Sequence, residues 1–336
     1  MKNAVGRLDS LPRHLLGAWP TPLTEAPRLS ERLGLRRLLI KRDDCTTLGG
    51  GGNKVRKLEF LMADALGKHA DTIITCGGIQ SNHARLTAAA ANAVGIPRSI
   101  LVLGGPLPEA DQGNLILDAV LGAEVRLMAD ATVKDMIAEM DAVAEDLRKQ
   151  GANPYVIPLG GSSALGDMGY VQCMRELAAQ LTGEEAPTVV VAVGSGGTLI
   201  GCAIGLKLFL PNARLIGISV TGKADSIGRH LLPIANEAAE LLGLSEPFTA
   251  ADLPICDGYY GQQYGVPSDL GNQAILTAAR TEGLILDPVY TGKAMSGLIG
   301  LALDGEIDRS RPVVFIHTGG MPALFAFEGL FGLKDY

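Results

Sequence analysis

The sequence predicts an α/β fold of open, mostly parallel, twisted sheets flanked by helices. Three observations predict it. Short apolar runs alternate with longer helical patterns, glycine-rich segments follow several of those runs, and hydrophobic residues make up 47% of the 336 positions, enough for a sizeable core. The runs with strand character are Leu38–Lys41, Thr72–Thr75, Ser99–Leu103, Glu124–Leu127, Tyr155–Pro158, Val189–Ala192, Leu215–Ser219 and Val313–His317. Between them lie helical patterns such as Val55–Leu66, His83–Val94, Thr132–Lys149 and Met168–Gln180. The pattern breaks at GGSSALG, Gly160–Gly166, and in the irregular segment from Glu246 to Ser268, which contains YYGQQYG. Sheets of this kind bind ligands beyond the C-terminal ends of their strands, so the residues just after each run carry the functional reading.

Composition removes several function classes. A net charge of -7 argues against a nucleic-acid surface, and 4% aromatics leave little for base stacking. Cys45, Cys76, Cys173, Cys202 and Cys256 are widely spaced without CxxC, which predicts neither a disulfide framework nor a metal site. No 18-residue apolar run and no signal-peptide core stand in the sequence. The expectation is a cytoplasmic protein with no membrane and no nucleic-acid partner.

Four post-strand segments stand out. LGGGGNKVRKLEF (Leu48–Phe60) joins four glycines to a helix start at Lys54. An amine in the first turn feels an unfavourable helix dipole, and partial burial adds to that, so its pKa falls and it can form a Schiff base or act as a general base. A solvated lysine beside Arg56, Lys57 and Glu59 is the plain alternative. Lys57 shares a face with Lys54 and can offer charge to a phosphate, while Leu58 and Leu61 can anchor the helix. The glycines are expected to turn the chain tightly and clear room for something approaching the backbone.

GSGGT, with Gly194, Ser195, Gly196, Gly197 and Thr198, puts a glycine-rich loop at a helix N-terminus. Free N–H groups and hydroxyls there make an anion cradle; without GxxxxGK[ST] or a full GxGxxG, it suits a small phosphate-bearing cofactor better than ATP or NAD. In IQSNH, Ser81 or Asn82 can cap the following helix. Asn82 can instead donate to a ligand oxygen and Ser81 relay a proton, whereas His83 is expected only to pack or hydrogen-bond locally. Tyr259, Tyr260, Tyr264 and Tyr290 lie in loop-like sequence and can bind a carboxylate or shuttle a proton, or pack at an interface. TGG, after Val313–His317, completes the set.

Together these pieces resemble the fold type II (tryptophan-synthase-β-like) pyridoxal-phosphate enzymes, in the branch of D-cysteine desulfhydrase, 1-aminocyclopropane-1-carboxylate deaminase and cysteate sulfo-lyase. The matching segments run in order from PTPL (Pro20–Leu23) through IKRDD, GGNKVRKLEFLMADAL, QSNHAR, PYVIPLGGSSALGDMGY, GSGGT, YGVP and EGLILDPVYTGKAMSGL to HTGG (His317–Gly320). The resemblance implies pyridoxal 5'-phosphate bound to Lys54 and Asn82 on its 3-hydroxyl oxygen. It implies Gly194–Thr198 with Lys57 on the phosphate, and Thr318 beside the pyridine nitrogen. Ser81, Tyr264 and Tyr290 would face the substrate. It also implies a homodimer of two-domain subunits, residues 1–53 plus 161–336 forming the large domain and 54–160 the small one, with the site in the cleft.

The implied reaction is α,β-elimination on a small β-substituted amino acid, D-cysteine first, giving pyruvate, hydrogen sulfide and ammonia. Ring-opening deaminases of the branch typically carry glutamate after DPVY, positioned to influence the cofactor; Thr291 stands here, as in the D-cysteine enzymes. Cysteate sulfo-lyase needs a basic pocket for a sulfonate, and D-serine dehydratase-like activity is a further alternative. A non-catalytic pyridoxal-phosphate-binding protein would require loss of Lys54, Asn82 or GSGGT, all present. Leu86, where relatives commonly carry Gln, and the short Gly104–Gln112 segment are departures expected near the substrate face.

Overall fold

The computed structural model describes residues 2–331. In chain order the strands are β1 (Leu23–Glu25), β2 (Leu38–Lys41), β3 (Thr72–Gly78), β4 (Arg98–Gly105), β5 (Glu124–Ala129), β6 (Pro154–Ile157), β7 (Thr188–Val193), β8 (Arg214–Ser219), β9 (Ile255–Cys256) and β10 (Val313–Ile316). The helices are α1 (Lys2–Ser10), α2 (Pro27–Leu33), α3 (Lys54–Gly67), α4 (Asn82–Ala93), α5 (Asn114–Val120), α6 (Val133–Lys149), α7 (Ala164–Gln180), α8 (Gly197–Phe209), α9 (Ala224–Leu241), α10 (Asp269–Glu282), α11 (Thr291–Leu303) and α12 (Met321–Leu324). Two sheets result, a six-stranded one ordered β1-β2-β10-β7-β8-β9 and a four-stranded one ordered β5-β4-β3-β6. All pairings are parallel except β1 with β2.

Parallel strands covered on both faces need apolar side chains in both directions. Strand β7, TVVVAV, is buried along its whole length. Its Val189, Val191 and Val193 enter one core cluster with α7, α8 and α9, and Val190 and Ala192 enter another with α10 and α11. That division follows the two-residue period of a strand. At the edge of the other sheet β5 is only partly buried, and Arg98, Arg126, Glu124 and Glu139 form ion pairs across it, which blunts an exposed edge.

Every expected strand is present within a few residues of its expected bounds. Strands β1 and β9, three and two residues long, are additions. Helix α7 begins at Ala164 because Ser163 caps it, its Oγ accepting from Gly166 N at 3.2 Å. GGSSALG is therefore a turn that delivers a helix start.

Helices α3, α7 and α8 stack with their backbones in direct contact. A Cβ on Gly169 of α7 would overlap the Arg56 carbonyl of α3, and one on Gly201 of α8 would overlap the Asp167 carbonyl of α7. Beneath this stack Arg56 donates to both oxygens of Asp43 at 2.8 Å, and Tyr170 OH donates to Asp43 at 2.7 Å. Glu176 joins Arg56 (2.9 Å) to Lys41. Burial alone would raise the Asp43 pKa, but the Arg56 guanidinium outweighs it and holds the carboxyl below its usual range. The first Asp of RDD is thus part of a buried ionic knot, which is strongly destabilised if one member is removed.

Candidate active site

A cavity of about 620 Å³ opens where several strands end. Its wall includes Gly77 and Gly78 from β3, Gly104 and Gly105 from β4, Gly194 after β7 and Thr318 after β10. The walls also bring together Lys54, Ser81, Asn82, His83, Ser195, Gly196, Thr198, Tyr264 and Tyr290. Lys54 is the sole Lys or Arg on the wall among the described residues, and no Asp or Glu lines it.

Lys54 is the first residue of α3, and its Nζ donates to Gly160 O at 3.3 Å. Burial, aided by the positive charge of Lys57, holds its amine well below the usual lysine range. Both influences favour the free amine over the ammonium form. The preceding Asn53 ties three parts of the site together. Its N–H donates to Thr318 O (3.0 Å), and its Nδ2 donates to Thr198 Oγ1 (3.2 Å).

The N-cap Gly196 has no side chain to offer the first turn of the 13-residue α8; Ser162 takes the Gly197 amide, and the Thr198 and Leu199 amides that follow are left for another acceptor. Gly196 sits at φ 85, and a Cβ on Gly197 would overlap Asp167 and Lys57. Ser162 Oγ accepts from Gly197 N (3.1 Å) and Lys57 Nζ (3.0 Å) and donates to Ser195 Oγ (2.8 Å). Two of the loop's expected residues lie behind the wall. Lys57 is fully buried behind the loop, paired with Asp167 at 3.2 Å, and does not line the cavity. Gly197 is likewise absent from the wall.

At the start of α4, Ser81 is the cap, its Oγ accepting from Ala84 N at 3.2 Å, and it also lines the cavity. Asn82 Oδ1 accepts from Arg85 Nη2 and Asn114 Nδ2, both at 3.3 Å. His83 hydrogen-bonds locally, as its position suggested. Thr75 OH donates to Ile157 O (2.9 Å) and so accepts from His83 Nε2 (3.0 Å). Burial, then the charges of Lys54 and Lys57, keep the imidazole well below its usual pKa.

Across the cavity the Tyr264 and Tyr290 hydroxyls meet at 2.5 Å, their rings edge-to-face with centroids 5.9 Å apart. Burial raises both pKa values, so both phenols keep their protons, one in the pair and one free to donate. Tyr259 packs on Gly300 of α11, and Tyr260 lies beside Lys223; neither lines the cavity.

Three further features of the sequence lie off the wall. Thr291 turns away from the cavity, donating to Asp287 Oδ1 (2.7 Å) and accepting from Asp287 N (2.8 Å). Leu86 packs beneath Gly49 and Gly52, off the wall. The run Gly49–Gly52, at φ 52, 84, 81 and 134, clears room for the Asp44 and Thr46 carbonyls, Ala89 and Arg85, and does not reach the cavity. Gly104–Gln112 does reach it, through Gly104, Gly105, Pro106, Pro108 and Gln112. Sequence reasoning missed Asn53, Gln80, Met136 and Phe327; only Asn53 and Gln80, beside motif residues, carried a signal.

A family model described as "Pyridoxal-phosphate dependent enzyme" matches residues 14–319. The chain belongs to the pyridoxal-phosphate dependent enzymes. Within this family it is 45% identical over 329 residues to the D-cysteine desulfhydrase of Yersinia pestis (strain Pestoides F), covering 96% of this chain and 98% of that protein. A D-cysteine desulfhydrase of Salmonella newport (strain SL254) is also 45% identical, over 330 residues, with the same shares. A crystal structure described as an ACC deaminase homologue is 40% identical, with TM-score 0.90 over 97% of each chain. Threonine deaminase isoform 2 of Solanum lycopersicum, 19% identical with TM-score 0.68 over 95% of this chain and 84% of that one, shares the fold. The enzyme is a fold type II pyridoxal-phosphate protein. Its site fits that cofactor: a glycine-rich helix start for a phosphate, a buried lysine whose pKa is lowered by burial, and an asparagine whose oxygen is held by two protein donors. No described helix is long and apolar enough to cross a membrane.

Proposed function

We propose that this pyridoxal-phosphate enzyme cleaves D-cysteine by α,β-elimination, taking up water and releasing pyruvate, hydrogen sulfide and ammonia. The observation that carries the reading is the meeting of a buried Lys54 amine, its pKa lowered by burial, with two protonated phenols in a cavity holding no other cationic side chain on its wall among the described residues. The near full-length similarity to D-cysteine desulfhydrases supports it. A sulfonate substrate such as L-cysteate would find no second cation on the wall among the described residues, which weighs against that alternative.

When bound, the cofactor supplies an aldehyde for an amine and an electron sink for the substrate Cα. Lys54 Nζ then serves as the base for the α-proton. The Tyr264–Tyr290 pair holds the proton that the departing sulfur takes up, and Ser81 binds the substrate carboxylate or relays a proton. Asn82 and Thr318 hold the cofactor ring, while Gly194, Ser195, Gly196, Gly197 and Thr198 receive its phosphate, with Lys57 adding positive charge from behind the loop. Opening a cyclopropane is the second reading, favoured by the ACC deaminase homologue.

We further read residues 54–160, which contain the four-stranded sheet, as a small domain, and 1–53 plus 161–336 as the large one. The family resemblance supports a homodimer acting in the cytoplasm on a small amino acid. The deciding experiment presents the enzyme with D-cysteine, L-cysteine, D-serine, L-cysteate and 1-aminocyclopropane-1-carboxylate side by side, measuring sulfide and 2-oxo acid. Preference for the cyclopropane substrate would overturn the proposal.

A further inference from the structure

Asn82 stands on the cavity wall with its amide oxygen facing inward to protein. Arg85 Nη2 and Asn114 Nδ2 both donate to that oxygen, each at 3.3 Å. The orientation of Asn114 is itself fixed, since the same Nδ2 also donates to Gln80 O at 3.1 Å and two acceptors cannot face its oxygen. Arg85 also donates to Gly49 O (2.6 Å) and Gly51 O (2.9 Å), the carbonyls of the run that leads into Asn53 and Lys54. Arg85, Asn114 and Asp118 are completely buried, and Asp118 lies one turn after Asn114 on α5, with both carboxylate oxygens free of hydrogen bonds. A guanidinium buried without a direct ion pair is costly to keep. Here its contacts join the two wall residues that reach the cofactor from different elements.

We propose that Arg85 and Asn114 are positioning residues that clamp the Asn82 oxygen, commit its NH₂ group to the cofactor ring oxygen and lock this contact to the loop carrying Lys54. The inference rests on Asn82 touching the cofactor. With two donors on Oδ1, a flipped amide would point NH₂ at two N–H groups, so Asn82 can only donate toward the cavity. Asn114→Asp keeps the shape but replaces the donor with an acceptor, which favours the wrong Asn82 orientation.

The test uses the holoenzyme and reads cofactor binding and colour rather than turnover. Asn114→Asp should weaken pyridoxal-phosphate affinity by ~10-fold or more, the worth of about one hydrogen bond. It should also shift the absorption band of the bound cofactor and the pH at which that band titrates. Arg85→Lys, which keeps the buried charge, should act in the same direction, and it serves if Asn114→Asp does not fold. In an Asn82→Ala background either substitution should add little, because the clamped group is gone. An unchanged band and affinity in Asn114→Asp, or an effect of equal size with Asn82 removed, would overturn the clamp. If Asn82→Ala alone left both readouts unchanged, the cofactor contact itself would fall and the clamp with it.

Discussion

Asp118 offers a sharp test of how the α4–α5 region is built. Its side chain is completely buried, neither oxygen is hydrogen-bonded, and burial pushes its carboxyl from 3.8 up to about 7 against the pull of Arg85. In the unfolded chain the carboxyl ionises near 3.8, so as pH rises above that value the unfolded state sheds its proton while the folded state keeps it. Stability therefore falls with rising pH until about 7 and is level beyond. A difference of about 3 pH units at ~1.4 kcal/mol each makes the full loss ~4 kcal/mol, of which ~2 kcal/mol accrues between pH 5 and pH 7. Asp118→Asn cannot ionise and escapes that loss. Chemical denaturation of the cofactor-saturated enzyme, followed by circular dichroism, should show Asp118→Asn gaining stability over the parent as pH is raised from 5 to 8, by ~2–3 kcal/mol. A gain independent of pH, or a variant weaker than the parent at pH 8, would refute the reasoning.

Other substitutions probe the site directly. Lys54→Ala should fold, hold no covalently attached cofactor by mass spectrometry, and lose activity by ~10³-fold or more. Gly197→Ala forces a Cβ into Asp167 and Lys57; a loss of ~2 kcal/mol or more in thermal denaturation, with weaker phosphate-ester binding, is expected. Tyr290→Phe removes one phenol of the 2.5 Å pair while leaving the ring. Steady-state kinetics should show kcat/KM reduced ~10²–10⁴-fold, with cofactor affinity near that of the parent.

Much of this architecture was legible because buried parallel strands are written as near-continuous apolar runs, and TVVVAV and TIITCGG need little context to be recognised. Strand β1 was not legible, since three residues pairing antiparallel with Leu39–Lys41 carry no periodicity. The lysine, the anion loop and the tyrosine pair were legible as residue types that chemistry requires. Which way neighbouring side chains point was not. Lys57 shares a helix face with Lys54, yet it meets Asp167 and Ser162 behind the loop. Thr291 follows Tyr290 directly but faces Asp287. The glycine run answers to Arg85 and the carbonyls of Asp44 and Thr46, partners brought up from elsewhere in the fold. Asn82 and Arg85 stand three residues apart at the start of one helix, a spacing that hinted at their contact without revealing Asn114 as the third member.

The glycine-mediated stack of α3, α7 and α8 places Lys54 and the anion loop at the first turns of its two outer helices. Their separation is consequently gauged by main chain resting on main chain at Gly169 and Gly201, where no rotamer is available to adjust. Amine and anion cradle behave as two marks on one rule. Refitting the enzyme to a longer or shorter cofactor would require resetting that rule, whereas changes along the Gly104–Gln112 and Thr132–Met136 walls leave it untouched and alter only what is seated beside it.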